Sequence, residues 1–167
     1  MPLIKDGHFV ADDWSRPVEG EPAVAGAKLI LAFARLEAEA SDLIEAGHAV
    51  GVEITNDTDP AALEPWFDRL ALIVVPFPRA ADGRGFSIAT RLRRLGYRGE
   101  LRASGHLIAD QYTLARSCGF DTVEISDAQA ARQPEPHWLE AEHAMSLAYQ
   151  RGYGPLRNIL GARWAAQ

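Results

Sequence analysis

Five short apolar segments, each the length of one buried strand, recur along the chain with helix-like segments between them. They are Lys28 to Phe33, Ala49 to Ile54, Leu70 to Val75, Leu101 to Ser104 and Thr122 to Ile125. Strands that alternate with helices form a parallel sheet with right-handed crossovers. We therefore predict one α/β domain with a mainly parallel sheet, built either as an open three-layer sandwich or as a partial β/α barrel. In both arrangements ligands bind at the carboxyl ends of the strands.

The N-terminus carries a separate signal, Asp6-Gly7, between two short apolar runs. Both residues tolerate the positive φ angles of a type I′ turn, so we predict a β-hairpin. The polar segment that follows contains two prolines and a glycine and is typical of a linker. The expected organisation is a hairpin and linker over residues 1–22, an α/β domain over 23–150 and a C-terminal tail over 151–167. The tail has enough apolar residues to pack on the domain or on a partner, including a second copy of the chain.

The overall charge and the cysteine content restrict the classes of function. The 167 residues carry a formal net charge of −6, which argues against general binding of nucleic acid, because that requires a basic surface. The single cysteine, Cys118, excludes an internal disulfide and is expected to be a buried structural thiol. The N-terminus has no apolar signal core, and no stretch approaches about 18 apolar residues. We therefore expect a cytoplasmic protein without a membrane segment.

The segment Asp82 to Ser87 combines two glycines with an arginine and a hydroxyl at the start of a predicted helix. Glycines allow the backbone to turn sharply and to bring N–H groups close to a ligand, and a helix N-terminus favours an anion. We predict an anion-binding set of Gly83, Arg84, Gly85, Ser87 and Arg102. The pattern lacks the third glycine of a dinucleotide fingerprint and the Gly-Lys-Ser/Thr of a P-loop. The alternative is that Asp82 or Ser87 only caps a helix.

The stretch from Arg84 to Arg102 contains six arginines and one acid, Glu100, in a protein that is acidic as a whole. At helical spacing, one face holds Arg84, Ser87, Arg91 and Arg94, and another holds Ile88, Leu92 and Leu95. We assign Arg91 and Arg94 to the binding of an acidic partner. The alternative is that these arginines form a solvated helix face without a partner.

Two residues are candidates for general acid–base chemistry, although the sequence does not define a catalytic site. His106 follows a predicted strand, and an imidazole can change charge near neutral pH. Asp110 lies early in a helix, where a carboxylate also has a structural role because it favours the helix dipole. No metal site is predicted, since Asp59-Pro60 is better explained as a helix start and the later histidines do not share a helix face.

Several motifs of the central segment are similar to those of one bacterial family. They are Asp82-Gly83-Arg84-Gly85-Phe86-Ser87, the run from Gly96 to Ala103, Gly105, Asp110-Gln111 and Cys118-Gly119-Phe120-Asp121, with Ile4-Lys5-Asp6-Gly7 at the start of the chain. With these motifs the chain resembles the domain of unknown function 934. Members of that family are often labelled oxidoreductases of sulfite reduction, because their genes lie beside genes for assimilatory sulfite reductase. At His106 the family usually has an aspartate, which counts against a catalytic role for this histidine.

The resemblance implies an accessory protein of assimilatory sulfate and sulfite reduction, in which Arg91 and Arg94 bind an acidic surface of sulfite reductase or its electron donor. No motif for flavin, nicotinamide, haem or iron–sulfur binding accompanies the oxidoreductase label, so no cofactor is evident and enzymatic activity is left open. The alternative is a small enzyme or sensor that holds sulfite, sulfate or a phosphosulfate nucleotide at the loop from Gly83 to Ser87. An interaction protein with no role in sulfur metabolism is a third hypothesis.

Overall fold

A computed structural model describes residues 1–17 and 24–144 of the chain. Its strands are β1 (Leu3–Lys5), β2 (His8–Val10), β3 (Trp14–Ser15), β4 (Lys28–Ala32), β5 (Ala49–Glu53), β6 (Leu72–Phe77), β7 (Glu100–Gly105) and β8 (Thr122–Glu124). Its helices are α1 (Leu36–Glu45), α2 (Arg84–Leu95), α3 (Ala109–Cys118), α4 (Asp127–Arg132) and α5 (Glu135–Ala144), with 3₁₀ helices at Phe33–Arg35 and Pro60–Trp66.

The described strands form one sheet in the order β2-β1-β8-β7-β6-β5-β4-β3. Strands β3 to β8 run parallel to one another, whereas β1 is antiparallel to both β8 and β2. The sheet curls into a half-barrel. The predicted α/β class and mainly parallel sheet are confirmed, and the sheet takes the partial-barrel form rather than the open sandwich.

The predicted hairpin is confirmed as well, and its turn has the expected backbone geometry. Asp6 and Gly7 have φ angles of 50° and 79°, the positive values that a type I′ turn requires. Ile4 faces Phe9 across the hairpin and Val123 on the opposite side. The hairpin therefore extends the main sheet directly, with β1 inserted between β2 and β8.

One face of the sheet is apolar and is covered by helices. Alternate residues of the central strand, Ile73, Val75 and Phe77, share a core with buried residues of α2 such as Ala89 and Leu92. Alternation places the intervening residues on the opposite face, because successive side chains of a strand point to opposite sides. The helices α1, α2, α3 and α5 all contribute to this one core, so the second face is left for other elements.

The second face carries a small apolar cluster and an extensive set of charged groups. Trp14 packs there against Ile30, Leu72 and Val74. The segment that contains Trp14 leads from β2, at one edge of the sheet, to β3, at the other edge. It therefore crosses the inner face of the half-barrel and brings Asp12 and Arg16 over the strands.

Two local predictions differ from the structure. Residues 12–22 were expected to be a plain linker, but Trp14–Ser15 pairs in parallel with β4. The helix predicted to start at Asp59-Pro60 is a 3₁₀ helix, Pro60–Trp66, and not an α-helix. Pro65 lies inside this segment and has no N–H to donate, which disfavours a continuous α-helix. The predicted tail over 151–167 lies outside the described residues.

Candidate functional site

The carboxyl ends of the parallel strands bring several polar residues to one edge of the sheet. Strand β6 ends at Phe77 and its neighbour β7 at Gly105, and the N–H of His106 donates to the carbonyl of Phe77 at 2.8 Å. After β5 the chain forms a turn in which Thr55 Oγ1 donates to Asp57 at 2.5 Å. The structure thus places Asn56, Asp57 and Asp82 close to the start of α2, where sequence reasoning placed an anion site.

Arg84 is bound by a carboxylate of its own chain. Its Nε and Nη2 donate to the two oxygens of Asp82 at 3.0 and 2.7 Å, and its backbone N–H donates to the same group at 3.2 Å. Asn56 adds a further hydrogen bond to Asp82 at 3.1 Å. The hydrogen bonds from Arg84 hold the pKa of the Asp82 carboxyl well below its usual range, and Asp82 in turn raises the pKa of Arg84. The planar fork of Arg84 therefore already has an anionic partner.

The two glycines of this segment have different local roles. Gly83 precedes the helix with a φ of −78°, and a Cβ at this position would meet no atom within 4 Å. Gly85 lies within α2, where a Cβ would be 2.5 Å from the ring of Phe77. Gly85 thus allows the helix to pack closely on β6. Ser87 is the fourth residue of α2 and is exposed, so the predicted glycine loop is in large part the first turn of a helix.

Arg102 is placed apart from the rest of the predicted anion-binding set. It lies in β7 between two residues of the helix-covered core, Leu101 and Ala103, so its side chain is on the inner face of the half-barrel. The Arg102 residue is 0% exposed. Its Nη1 and Nη2 donate to Asp12 at 2.8 and 3.1 Å, and Nη2 also donates to Glu100 at 3.3 Å. The structure does not bring Arg102 and Arg84 together.

A second arginine, Arg16, extends this ion-pair network on the inner face. Its Nη atoms donate to both oxygens of Glu124 at 2.9 Å, and its Nε donates to Glu53 at 2.7 Å. Burial alone would lower the pKa of the Arg16 guanidinium, but the hydrogen bonds that it donates to Glu124 and Glu53 outweigh burial and raise the pKa. Glu124 is only 2% exposed and lies 3.9 Å from Arg102. The network therefore links the N-terminal segment to β5, β7 and β8.

Sequence reasoning missed this network, although a signal for it exists. In β7 and β8 the polar residues Arg102, Ser104, Thr122 and Glu124 alternate with apolar ones. Strict alternation is typical of a sheet with one polar face, whereas a sheet covered by helices on both faces shows continuous apolar runs. The alternation therefore favoured a half-barrel over a three-layer sandwich.

The arginines of α2 are sorted onto two faces of the helix. Arg84, Arg91 and Arg94 are exposed together with Ser87, and Arg98, just beyond the end of the helix, is exposed as well. We call these exposed arginines, from Arg84 to Arg98, the basic face. The helix contains no acidic residue of its own. Arg91 forms an exposed ion pair with Asp59 at 3.2 Å, so carboxylates of neighbouring elements balance part of the charge.

Arg93 points toward neighbouring elements and has a structural role that the sequence did not reveal. Its guanidinium donates to the carbonyls of Tyr97, Gly99 and Gly119 at 2.8 to 3.0 Å and to Asp121 at 2.6 Å. Asp121 also accepts the N–H of Leu101 at 2.8 Å. Arg93 thus fixes the C-terminal end of α2 to the ends of α3 and β7. This anchoring orients the basic face relative to the sheet.

The two candidate catalytic residues lie in different local settings. His106 is exposed at the end of β7. Asp110 is exposed in the first turn of α3 and lines an open surface groove between α3 and α5. Cys118, at the end of α3, is half-buried. Among the described residues no group of three or more histidine, cysteine or acidic side chains is placed to hold a metal ion.

These features define a class of protein: an α/β half-barrel with a charged inner face and an exposed basic helix. None of the described helices is both long and apolar enough to span a membrane. A family model described as "Bacterial protein of unknown function (DUF934)" matches residues 51–156, more than half of the chain. The chain belongs to this family. No curated protein matches the sequence.

Proposed function

We propose that this chain is an accessory protein of assimilatory sulfite reduction, which binds an acidic surface of sulfite reductase or of its electron donor in the cytoplasm. The observation that carries the proposal is the basic face from Arg84 to Arg98, four exposed arginines within 15 residues of a protein with a net charge of −6. A local patch of charge opposite to that of the whole molecule is expected to select and orient a charged partner.

The geometry of the basic face suits a protein partner. The helix α2 has 12 residues and extends for about 18 Å, so its arginines can contact several carboxylates along a partner surface. The planar guanidinium of an arginine can bind one carboxylate through two hydrogen bonds. The basic face could therefore orient a partner as well as attract it. Arg91 is 55% exposed and its partner Asp59 is 62% exposed. An ion pair this exposed contributes little, so exchange of Asp59 for a partner carboxylate costs little.

The link to sulfur metabolism rests only on the resemblance to the family. The motifs from Asp82 to Asp121 resemble those of proteins labelled by their place beside sulfite reductase genes, and the family model matches the same segment. The basic face lies within the matched residues. The charge of the basic face therefore supports an acidic partner. The family resemblance supports sulfite reductase or its electron donor as that partner.

The alternative function, binding of sulfite, sulfate or a phosphosulfate nucleotide at Arg84, has less support from the geometry. An incoming oxyanion must replace Asp82, which makes three hydrogen bonds to Arg84. Arg102, the second predicted arginine of this site, is held by Asp12 on the other face of the sheet. Calorimetric titration with sulfite and sulfate tests this alternative directly, and Arg84→Ala is its matched variant.

The experiment that tests the proposed function is affinity capture of the tagged chain from its native host, grown on sulfate as the only sulfur source. We expect sulfite reductase or its electron donor among the captured proteins. The charge-reversing pair Arg91→Glu and Arg94→Glu should abolish the capture. Mass spectrometry of the captured proteins is the readout.

A matched control separates the basic face from net charge. Lys5→Glu combined with Arg132→Glu changes the net charge by the same amount, and both residues are exposed away from α2. The control variant should capture the same proteins as the original chain. Recovery of no sulfur-pathway protein, or equal loss in both double variants, would contradict the proposed function.

A further inference from the structure

The segment that crosses the inner face of the half-barrel, residues 11–17, has little backbone pairing with the sheet. We call this segment the strap. Its strand β3 has only two residues, which pair with Lys28 and Leu29 of β4. The central strands β6 and β7, by contrast, pair along six residues. Every residue of the strap is exposed or half-buried. The strap is therefore fixed mainly by its side-chain contacts with the inner face.

Trp14 makes the main apolar contact of the strap. Its indole ring packs on Ile30, Leu72 and Val74. Gly51 leaves room for the ring, because a Cβ at this position would lie 3.2 Å from the indole and 2.9 Å from Cβ of Leu72. Trp14 is nevertheless only half-buried. One partly exposed aromatic ring thus supplies most of the apolar attachment.

Charged groups make the other main contacts between the strap and the inner face. Asp12 accepts hydrogen bonds from both Nη atoms of Arg102 at 2.8 and 3.1 Å. Arg16 donates to Glu124 at 2.9 Å and to Glu53 at 2.7 Å. On the sheet, Arg102 and Glu124 are 0% and 2% exposed, whereas the Arg16 side chain of the strap is 39% exposed. The ion pairs therefore join a partly exposed strap to buried charges.

This kind of interface opens at a lower cost than an apolar one. A buried ion pair gains Coulomb energy, but both partners lose their hydration, and the two terms largely cancel. When the strap leaves together with its charges, the groups on both sides regain water. Exposure of an apolar surface would have no such compensation. The charges of the strap thus specify its position without making its release prohibitive.

The closed strap also leaves one donor of the inner face unsatisfied. Nε of Arg102 is buried and has no hydrogen-bond partner in the part of the chain that the structure describes. A buried donor without an acceptor is destabilising, because it has lost water and gained nothing in exchange. Opening of the strap admits water to this group. The closed form therefore retains an energetic cost that the open form relieves.

We propose that the strap is a salt-sensitive lid, which opens over the inner face while the rest of the fold stays intact. In the closed form Asp12 and Arg16 cover the charged residues of the sheet. In the open form Arg102, Ser104 and Glu124 face solvent. Dissolved ions screen the attraction between partly exposed charges, so a higher ionic strength favours the open form. The inference does not rest on the proposed function, since the strap contributes no residue to the basic face.

The test is amide hydrogen exchange of the ¹⁵N-labelled full chain, followed by NMR at about 0.02 M and about 0.5 M NaCl. We expect the strap amides of Trp14 and Ser15 to exchange at least about threefold faster at the higher salt concentration. The amides of Ile73 and Val74 in β6 should exchange more slowly and should not accelerate. Strap amides that do not respond to salt, or equal acceleration in the strap and in β6, would overturn the proposal.

Two adjacent acids provide matched variants. Asp12→Asn removes the anion that binds the buried Arg102, so oxidation of Trp14 by hydroxyl radicals should increase by about threefold or more. Asp13→Asn removes the same charge from a side chain that is 68% exposed, so oxidation should change by less than about twofold. Mass spectrometry of the peptide that contains Trp14 measures both. Equal oxidation of Trp14 in the two variants would contradict the proposal.

A second tryptophan distinguishes opening of the strap from unfolding of the chain. Trp138 is 0% exposed in the helix-covered core. Its oxidation should stay unchanged in Asp12→Asn, because the strap does not contribute to that core. Oxidation of Trp138 in parallel with Trp14 would show that the whole fold opens, which contradicts a separate lid.

Discussion

Two groups of arginines from the same stretch of sequence have opposite environments. Arg102 is buried on the inner face of the half-barrel and is held by Asp12, Glu100 and the nearby Glu124. Arg91, only 11 positions earlier, has a side chain that is 55% exposed and contacts one exposed acid, Asp59. A run of arginines thus divides into buried structural residues and residues that are exposed to solvent on the surface.

The difference shows how burial, rather than residue type, determines what an arginine contributes. Removal of one partner from a buried ion pair leaves an uncompensated charge in a poorly solvated site, which is strongly destabilising. Removal of an exposed arginine exposes its partner to water at little cost. Substitutions on the two faces should therefore affect different measurements: stability for the inner face and partner binding for the basic face.

The largest effect on stability is expected for Arg102→Ala. This change leaves Asp12 and Glu100 on the inner face without their shared cation, and Glu124 with Arg16 alone, and should lower the free energy of unfolding by about 3–5 kcal/mol. Chemical denaturation measures it. Arg98→Ala is the matched control, because Arg98 is an exposed arginine of the same stretch, and it should change stability by less than about 0.5 kcal/mol. Equal stability of the two variants would contradict the division of these arginines into buried structural residues and exposed surface residues.

An intermediate effect is expected for the packing of α2 on the sheet. Gly85→Ala places a methyl group 2.5 Å from the ring of Phe77 and should cost about 1–3 kcal/mol as the helix shifts outward. Gly83→Ala introduces the same methyl group where no atom lies within 4 Å, so its cost should stay below about 1 kcal/mol. Thermal unfolding of both variants compares the two sites. A larger loss for Gly83→Ala would refute the packing role of Gly85.

A smaller, pH-dependent effect is expected for Asp82→Asn. The hydrogen bonds from Arg84 lower the pKa of Asp82 in the folded state, so this carboxylate stabilises the fold above its unfolded pKa of about 3.9. That contribution is lost as the pH falls through the folded value. The difference in stability between the original chain and Asp82→Asn should therefore shrink as the pH falls from about 5 toward 2. A stability difference that stays constant across this pH range would show that the contribution of Asp82 to stability does not depend on its charge.

The sequence predicted the main elements of the fold because each depends on nearby residues. Asp6-Gly7 specifies its turn through backbone geometry, and the apolar run around Ile73 specifies a central strand through its composition. The basic face was predictable for the same reason, since the spacing of Arg84, Arg91 and Arg94 is a local property of one helix.

The remainder of the site was not predictable, because it depends on distant residues. Arg102 is paired with a residue 90 positions away, and Arg16 with one 108 positions away. Helical spacing separates Arg94 from Arg93, but nothing in the local sequence shows that Arg93 binds Gly119 and Asp121, 26 and 28 positions away. Only the arrangement of the strands and helices brings those partners to Arg93.

The most direct test of the division between structural and surface arginines uses the double variant Arg91→Glu with Arg94→Glu. Two properties are measured on one preparation of this variant: its chemical unfolding and its binding to purified sulfite reductase. We expect the free energy of unfolding to change by no more than about 1 kcal/mol, while the affinity falls by at least about tenfold and the remaining binding loses its salt dependence. Affinity equal to that of the original chain, or a loss of affinity that is matched by unfolding, would contradict a partner-binding role for the basic face.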